Sequence, residues 1–184
     1  MKYWLLAFAG IVVMSIGAYA VYAGYAAQRD ATVNDDVRIV GPNFSPPPSR
    51  REDGFLEYKN LILHFDLFYP PELRVTEYDD GTAASTITFE AAGSNHAFQI
   101  FAVPYAESTI TKEQVEKDVP SGMITGATDI VVDGSPAVMF FSTDPRLGEM
   151  REVWFIHNGF LYEINTIKEN DEWLSQIMAT WTFL

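Results

Sequence analysis

The stretch Arg151-Glu152-Val153-Trp154-Phe155-Ile156-His157-Asn158-Gly159-Phe160-Leu161-Tyr162-Glu163-Ile164 decides the fold. Asn158-Gly159 supplies the two positive-φ positions of a tight hairpin turn, and apolar residues alternate on either side of it. A two-residue turn also fixes the register. His157 falls opposite Phe160, Ile156 opposite Leu161, Phe155 opposite Tyr162, Trp154 opposite Glu163 and Val153 opposite Ile164. One face of this hairpin, Val153, Phe155, Phe160, Tyr162 and Ile164, is nearly all apolar and is expected to pack against helices. The other mixes Trp154, Ile156 and Leu161 with Glu152 and Glu163. It is either covered by a second layer or left as a partly exposed patch. The set Trp154, Ile156, Leu161, Glu163, Arg151 and Glu149 is the candidate interaction surface.

Outward from the hairpin, short β-rich runs recur: 61–68, 74–78, 85–91, 97–103, 128–132, 137–143, 152–157 and 160–167. In the first run Leu61, Leu63, Phe65 and Leu67 are expected on one strand face, and Tyr69-Pro70-Pro71 ends it because proline cannot continue a ladder. Asp133-Gly134 proposes a second hairpin, with Pro136 starting its return strand. Thr111-Lys112-Glu113-Gln114 has a capping-box pattern opening a short helix to about Asp118. A second helix is predicted over 171–182, capped by Asn170 or Asp171, with Trp173, Leu174, Ile177, Met178 and Trp181 as its apolar stripe. The fold class is α+β: a central antiparallel sheet flanked by helices, over residues 55–184.

Ahead of this domain, residues 3–27 contain no charge, long enough for a single transmembrane helix. Tyr3, Trp4, Tyr19, Tyr22 and Tyr25 stand where interfacial aromatics do. Gly10, Gly17 and Gly24 give one smooth helix face. A cleaved signal peptide is the rival reading. The single Lys2 in the two-residue N-terminal tail and the length of the apolar run favour a retained anchor. Residues 28–54, with Pro42, Pro46, Pro47 and Pro48, read as an extended spacer. The ordinary exported arrangement puts the N-terminus inside and the domain on the extracytoplasmic side, with the lipid bilayer contacted through residues 3–27.

The 12 basic and 25 acidic residues give a formal charge of −13. Removing Lys2 leaves 11 basic against 25 acidic, or −14, a field that repels nucleic acid and anionic lipid headgroups and is compatible with solubility, cationic partners or no partner at all. Cysteine is absent, which excludes disulfides, thiolate metal sites and lipidated cysteine. His64, His96 and His157 are isolated, and no zinc spacing, nucleophile elbow or phosphate loop appears. His64 and Asp66 share a predicted strand face. They would need a hydroxyl and a pocket to act in a hydrolase. No catalytic, cofactor or metal residue is assigned.

Phe65-Asp66-Leu67-Phe68-Tyr69-Pro70, Gly134-Ser135-Pro136-Ala137-Val138-Met139-Phe140, the hairpin, and Met178-Ala179-Thr180-Trp181-Thr182-Phe183 together resemble, as an ordered set, a PsbP-like domain. This superfamily includes the photosystem II extrinsic subunit, Ran-binding proteins and bacterial exported or lipid-anchored members. The resemblance implies the same helix-flanked antiparallel sheet, no established enzyme activity, and action mainly by docking to proteins. The leading expectation is a membrane-tethered, non-enzymatic domain that docks to or stabilises another envelope or membrane protein. A small-molecule or cation-binding module is the alternative, and a hydrolase the third.

Overall fold

The structure, a computed structural model, describes residues 49–79, 81, 83–119, 121 and 123–184. In chain order these form β1 (Leu56–Asn60), β2 (Phe65–Tyr69), β3 (Leu73–Asp79), β4 (Ser85–Ala91), β5 (Ala97–Pro104), α1 (Lys112–Asp118), β6 (Thr125–Val132) and β7 (Ser135–Asp144). There follow β8 (Gly148–His157), β9 (Phe160–Ile167), a 3-10 turn (Lys168–Asn170), α2 (Asp171–Met178) and β10 (Thr182–Phe183).

The deciding hairpin forms in the expected register, from His157↔Phe160 through Val153↔Ile164, and runs on to Met150↔Ile167. Asn158 takes φ 48° and Gly159 φ 78°. A Cβ at Gly159 would meet nothing within 4 Å, so a side chain there is opposed by backbone conformation alone. Gly159→Val is therefore expected to cost about 1–2 kcal/mol, read as a lower urea midpoint. The second hairpin closes at Val132↔Ser135 around Asp133 and Gly134, one residue before the expected strand start.

Seven strands make one antiparallel sheet in the order β3-β4-β5-β9-β8-β7-β6. The smaller sheet, β1-β2-β10, packs against it, with Phe65 and Leu67 of β2 in one core with Phe155 and Ile164. The run 61–68 is not one strand. Asn60 Oδ1 accepts from the amides of Ile62 and Leu63 at 3.0 and 2.9 Å, curling the chain into a turn, and His64 takes φ 56°. Leu61 and Leu63 thus part company: Leu61 is 69% exposed and Leu63 is buried. The second predicted helix stops at Met178 rather than 182. Thr180 Oγ1 donates to the Ile177 carbonyl and accepts from the Phe68 amide, which turns the chain onto β2 as β10. At α1, Thr111 caps the Gln114 amide as expected, while the Gln114 side chain reaches Asp118 instead of closing the box.

The hairpin face predicted to be apolar does enter the core, but much of what covers it is β-structure. Val153, Phe155, Tyr162 and Ile164 pack with Phe65 and Leu67 of β2, Leu174 and Ile177 of α2, and Trp181. Tyr162 Oη donates to the Leu63 carbonyl at 2.6 Å, tying the two sheets together. Before β1 the chain already lies on the domain: the Glu57 amide donates to the Ser49 carbonyl, and the Arg51 guanidinium sits 5.0 Å from the Phe68 ring centre. Among the described residues no helix is long and apolar enough to cross a membrane; residues 3–27, where that helix is expected, and most of the spacer lie outside them.

Candidate functional site

The opposite face of the large sheet is partly roofed by α1 and its flanks. Ile110, Val115 and Val119 pack on Trp154, Phe140 and Val138, which hides Trp154. Of the six residues expected to form an interaction surface, Trp154, Leu161, Glu163 and Arg151 are buried, Ile156 is half-buried and Glu149 is exposed. They do not form one surface. The strand alternates without a bulge, so Arg151 shares the core side with Val153. There it lies 3.3 Å from Asp171 and under the Phe141 ring, while Glu149 pairs with Lys168 at 2.9 Å.

Beneath α1 the buried hairpin glutamates meet. A cavity of about 30 Å³ is lined by Glu152 of β8, Glu163 of β9, Asp118 of α1, Gln99 of β5 and Ser142 of β7, with Asp144, Asn165 and the aromatic rings of Trp154 and Phe101. Glu152 accepts from Ser142 Oγ at 2.8 Å and from Trp154 Nε1 at 3.2 Å. Burial nevertheless outweighs those bonds and pushes its pKa up to about 7. The Glu163 pKa is raised well above its ordinary value. Burial is the main cause, followed by the charge of Asp118 and a carboxyl–carboxyl hydrogen bond to it, then by Glu152, with Lys117 opposing. Two acceptors here, Glu163 Oε1 and Gln99 Oε1, have no hydrogen-bond partner. Among the described residues no three acidic or histidine side chains converge closely enough to ligate a metal ion.

The histidines are placed elsewhere. His157 Nδ1 meets Ser135 Oγ at 2.9 Å, and its ring lies flat on Phe183 with 3.5 Å between centres. Burial lowers its pKa, Asp133 raises it and His64 lowers it. Asp133 spends Oδ2 on the Phe183 amide at 2.7 Å. Asp66 pairs with Lys59 at 3.9 Å, and His96 stacks on Trp173. The expected His64, Asp66 and hydroxyl do not come together; the histidine–serine contact that forms uses His157 and Ser135. It is closed against the C-terminal strand.

No protein-family model matches the sequence, and no curated protein matches it significantly. Comparison of structures does give a match. The solution structure of cyanobacterial PsbP (CyanoP) from Synechocystis sp. PCC 6803 superposes with a TM-score of 0.55 at 9% identity, over 76% of this chain and 100% of that one. The fold is PsbP-like. At that identity the likeness speaks of architecture, and it agrees with the ordered phrases that carried the resemblance. Within this PsbP-like frame the carboxyl cavity was half visible in sequence. Glu163 opposite Trp154 follows from the turn, but Asp118 is brought over both by a helix whose docking no local pattern specifies.

Proposed function

We propose that the chain is a non-enzymatic docking module, tethered to a membrane through residues 3–27, whose domain lies on the extracytoplasmic side and binds or stabilises another envelope or membrane protein. The observation that carries this reading is a row of apolar side chains that α1 leaves uncovered on the roofed face. Val103 of β5 and Ile156 of β8 flank the buried Leu161 of β9, each in direct register with it. Pro136 of β7 and Val131 of β6, paired with each other, continue the row to the sheet edge. Val131 is 69% exposed, Pro136 is exposed, and Ile156 and Val103 are half-buried. Apolar side chains left exposed near one another on one sheet face, as Ile156, Pro136 and Val131 are, mark a contact site more often than a lone exposed residue does. The formal charge of −13 favours a cationic partner.

Crosslinking and pull-down of the full-length chain from its membranes tests this. One stoichiometric partner is expected, retained when residues 3–27 are exchanged for an unrelated anchor and lost from the double variant Val131→Asp, Ile156→Asp. Retention by the double variant, or loss on exchanging the anchor alone, would move recognition elsewhere. A second reading, a cation-binding module, rests on the two unpartnered oxygens in the cavity beneath α1.

A further inference from the structure

A small, partly open pocket walled by buried acceptors that lack donors suits a small group that brings its own hydrogens. The cavity beneath α1 has this character. Glu163 is 4% exposed and Gln99 is 5% exposed, yet Glu163 Oε1 and Gln99 Oε1 receive no hydrogen bond. Leaving a buried acceptor unmet costs roughly 1–3 kcal/mol, so both oxygens await an occupant. Asp118 adds a third acceptor beside Glu163.

The spacing chooses among cations. Hard metal ions bind oxygen at about 2.0–2.6 Å and need several ligands drawn that close. No three acidic side chains here converge so tightly. N–H···O bonds are satisfied at about 2.7–3.2 Å and tolerate the looser cage. A guanidinium is planar and presents a rigid fork that suits the paired oxygens of one carboxylate, whereas the unmet acceptors here are single oxygens of two different residues. An ammonium is compact and presents three rotatable donors. We propose that this cavity receives a primary ammonium group, the Nζ of a lysine carried by the docking partner. The inference rests on the docking reading for the source of that lysine. Position supports it: Glu163 and Leu161 lie two residues apart on one face of β9, about 7 Å. A partner seated on the apolar row therefore brings a lysine stem within reach of the cavity. Phe101 lines the cavity as well, and an aromatic ring suits a cation.

The occupant competes with a proton. Without an occupant, burial favours the protonated form of Glu163; Asp118 and Glu152 oppose its ionisation, Lys117 of α1 favours it, and Asp144 of β7 acts on Glu152. When an ammonium enters, the Glu163 O–H bond breaks, the proton leaves to solvent, and N–H···O⁻ bonds replace it. Affinity then rises with pH, by up to about tenfold per unit while Glu163 is protonated in the free protein.

The test is calorimetric titration of the full-length chain in nonionic detergent with n-butylammonium, guanidinium, tetramethylammonium and Ca²⁺. The expected result is one saturable n-butylammonium site, tighter at pH 8 than at pH 6, with guanidinium and tetramethylammonium at least tenfold weaker. Glu163→Gln, which keeps shape and removes charge, is expected to weaken n-butylammonium at least tenfold, and Gln99→Met to do so independently. No saturable n-butylammonium heat at pH 8, Glu163-dependent Ca²⁺ binding instead, or unchanged affinity in both variants would overturn the proposal. Competition of n-butylammonium with the captured partner assigns the site to a partner lysine; a saturable site without competition overturns that assignment and points to a free amine. Partner capture without an ammonium site leaves docking standing and sinks the cavity reading. An ammonium site in a chain whose apolar-row variant still holds its partner does the reverse.

Discussion

Trp181→Ala is expected to destabilise the domain by about 3–5 kcal/mol, the range for deleting a buried tryptophan. That is a fifth or more of a typical domain stability of roughly 5–15 kcal/mol. Trp181 stacks on Phe65 with 4.2 Å between ring centres and an interplanar angle of 12°. It also meets the edges or faces of Phe155, Tyr162 and Phe183. It joins both strands of the hairpin to the small sheet, so its loss opens a void that neither layer can fill alone. Trp181→Phe is a sharper comparison. The indole Nε1 is buried without an acceptor, so replacing it removes an unmet donor while most of the ring contact remains. That variant is expected within about 1 kcal/mol of wild type. Urea unfolding of both variants reads the difference, and equal large losses would mean that the indole nitrogen has a partner.

Stability is expected to fall as pH rises through the titration of Glu152, and Glu152→Gln to remove that residue's share of the fall. Glu152 goes from an ordinary 4.5 to about 7 on folding, chiefly through burial. The folded state therefore binds the extra proton between those values. By linkage, its full stabilisation is present below about pH 4.5 and is lost as pH rises through about 7. The span corresponds to about 3 kcal/mol. Glu163, raised for the same reason and by Asp118, adds a loss of the same sign. Glutamine at 152 still accepts from Trp154 Nε1 and offers its amide to Ser142, so the variant is expected to be the more stable protein at pH 8 and close to wild type at pH 4. Chemical unfolding at both pH values measures it; a wild-type minus variant difference independent of pH would contradict the buried, protonated Glu152.

Both predictions concern the hairpin, and the hairpin is where sequence spoke most clearly. Asn158-Gly159 fixes turn type and register together, so which residues oppose one another needed no tertiary information. Away from it, local pattern misled in identifiable ways. The alternation of Leu61, Leu63, Phe65 and Leu67 mimics a strand, but the Asn60 side chain captures two backbone amides and makes a turn. The stripe through Trp181 mimics a longer helix, but Thr180 finds its partners on β2, a strand 112 positions earlier. The candidate interaction surface failed as a single surface for a similar reason. Ile156 keeps a place in the apolar row, whereas Trp154 and Glu163 look like a mixed, half-exposed face until α1 is placed over them. A seven-residue helix whose one apolar residue is Val115, helped by Ile110 and Val119 outside its ends, carries no signal of where it docks.

The central claim is that partners engage the row Val103, Ile156, Pro136 and Val131. The most direct measurement places a photo-crosslinking side chain singly at Val131, at Ile156 and, as a control on the far side of the domain, at Glu172 of α2, in the full-length protein in its native membrane. The account predicts the same discrete adduct from Val131 and Ile156 and none from Glu172. Adducts from Glu172 alone, or none from either row position while a partner still co-purifies, would contradict it.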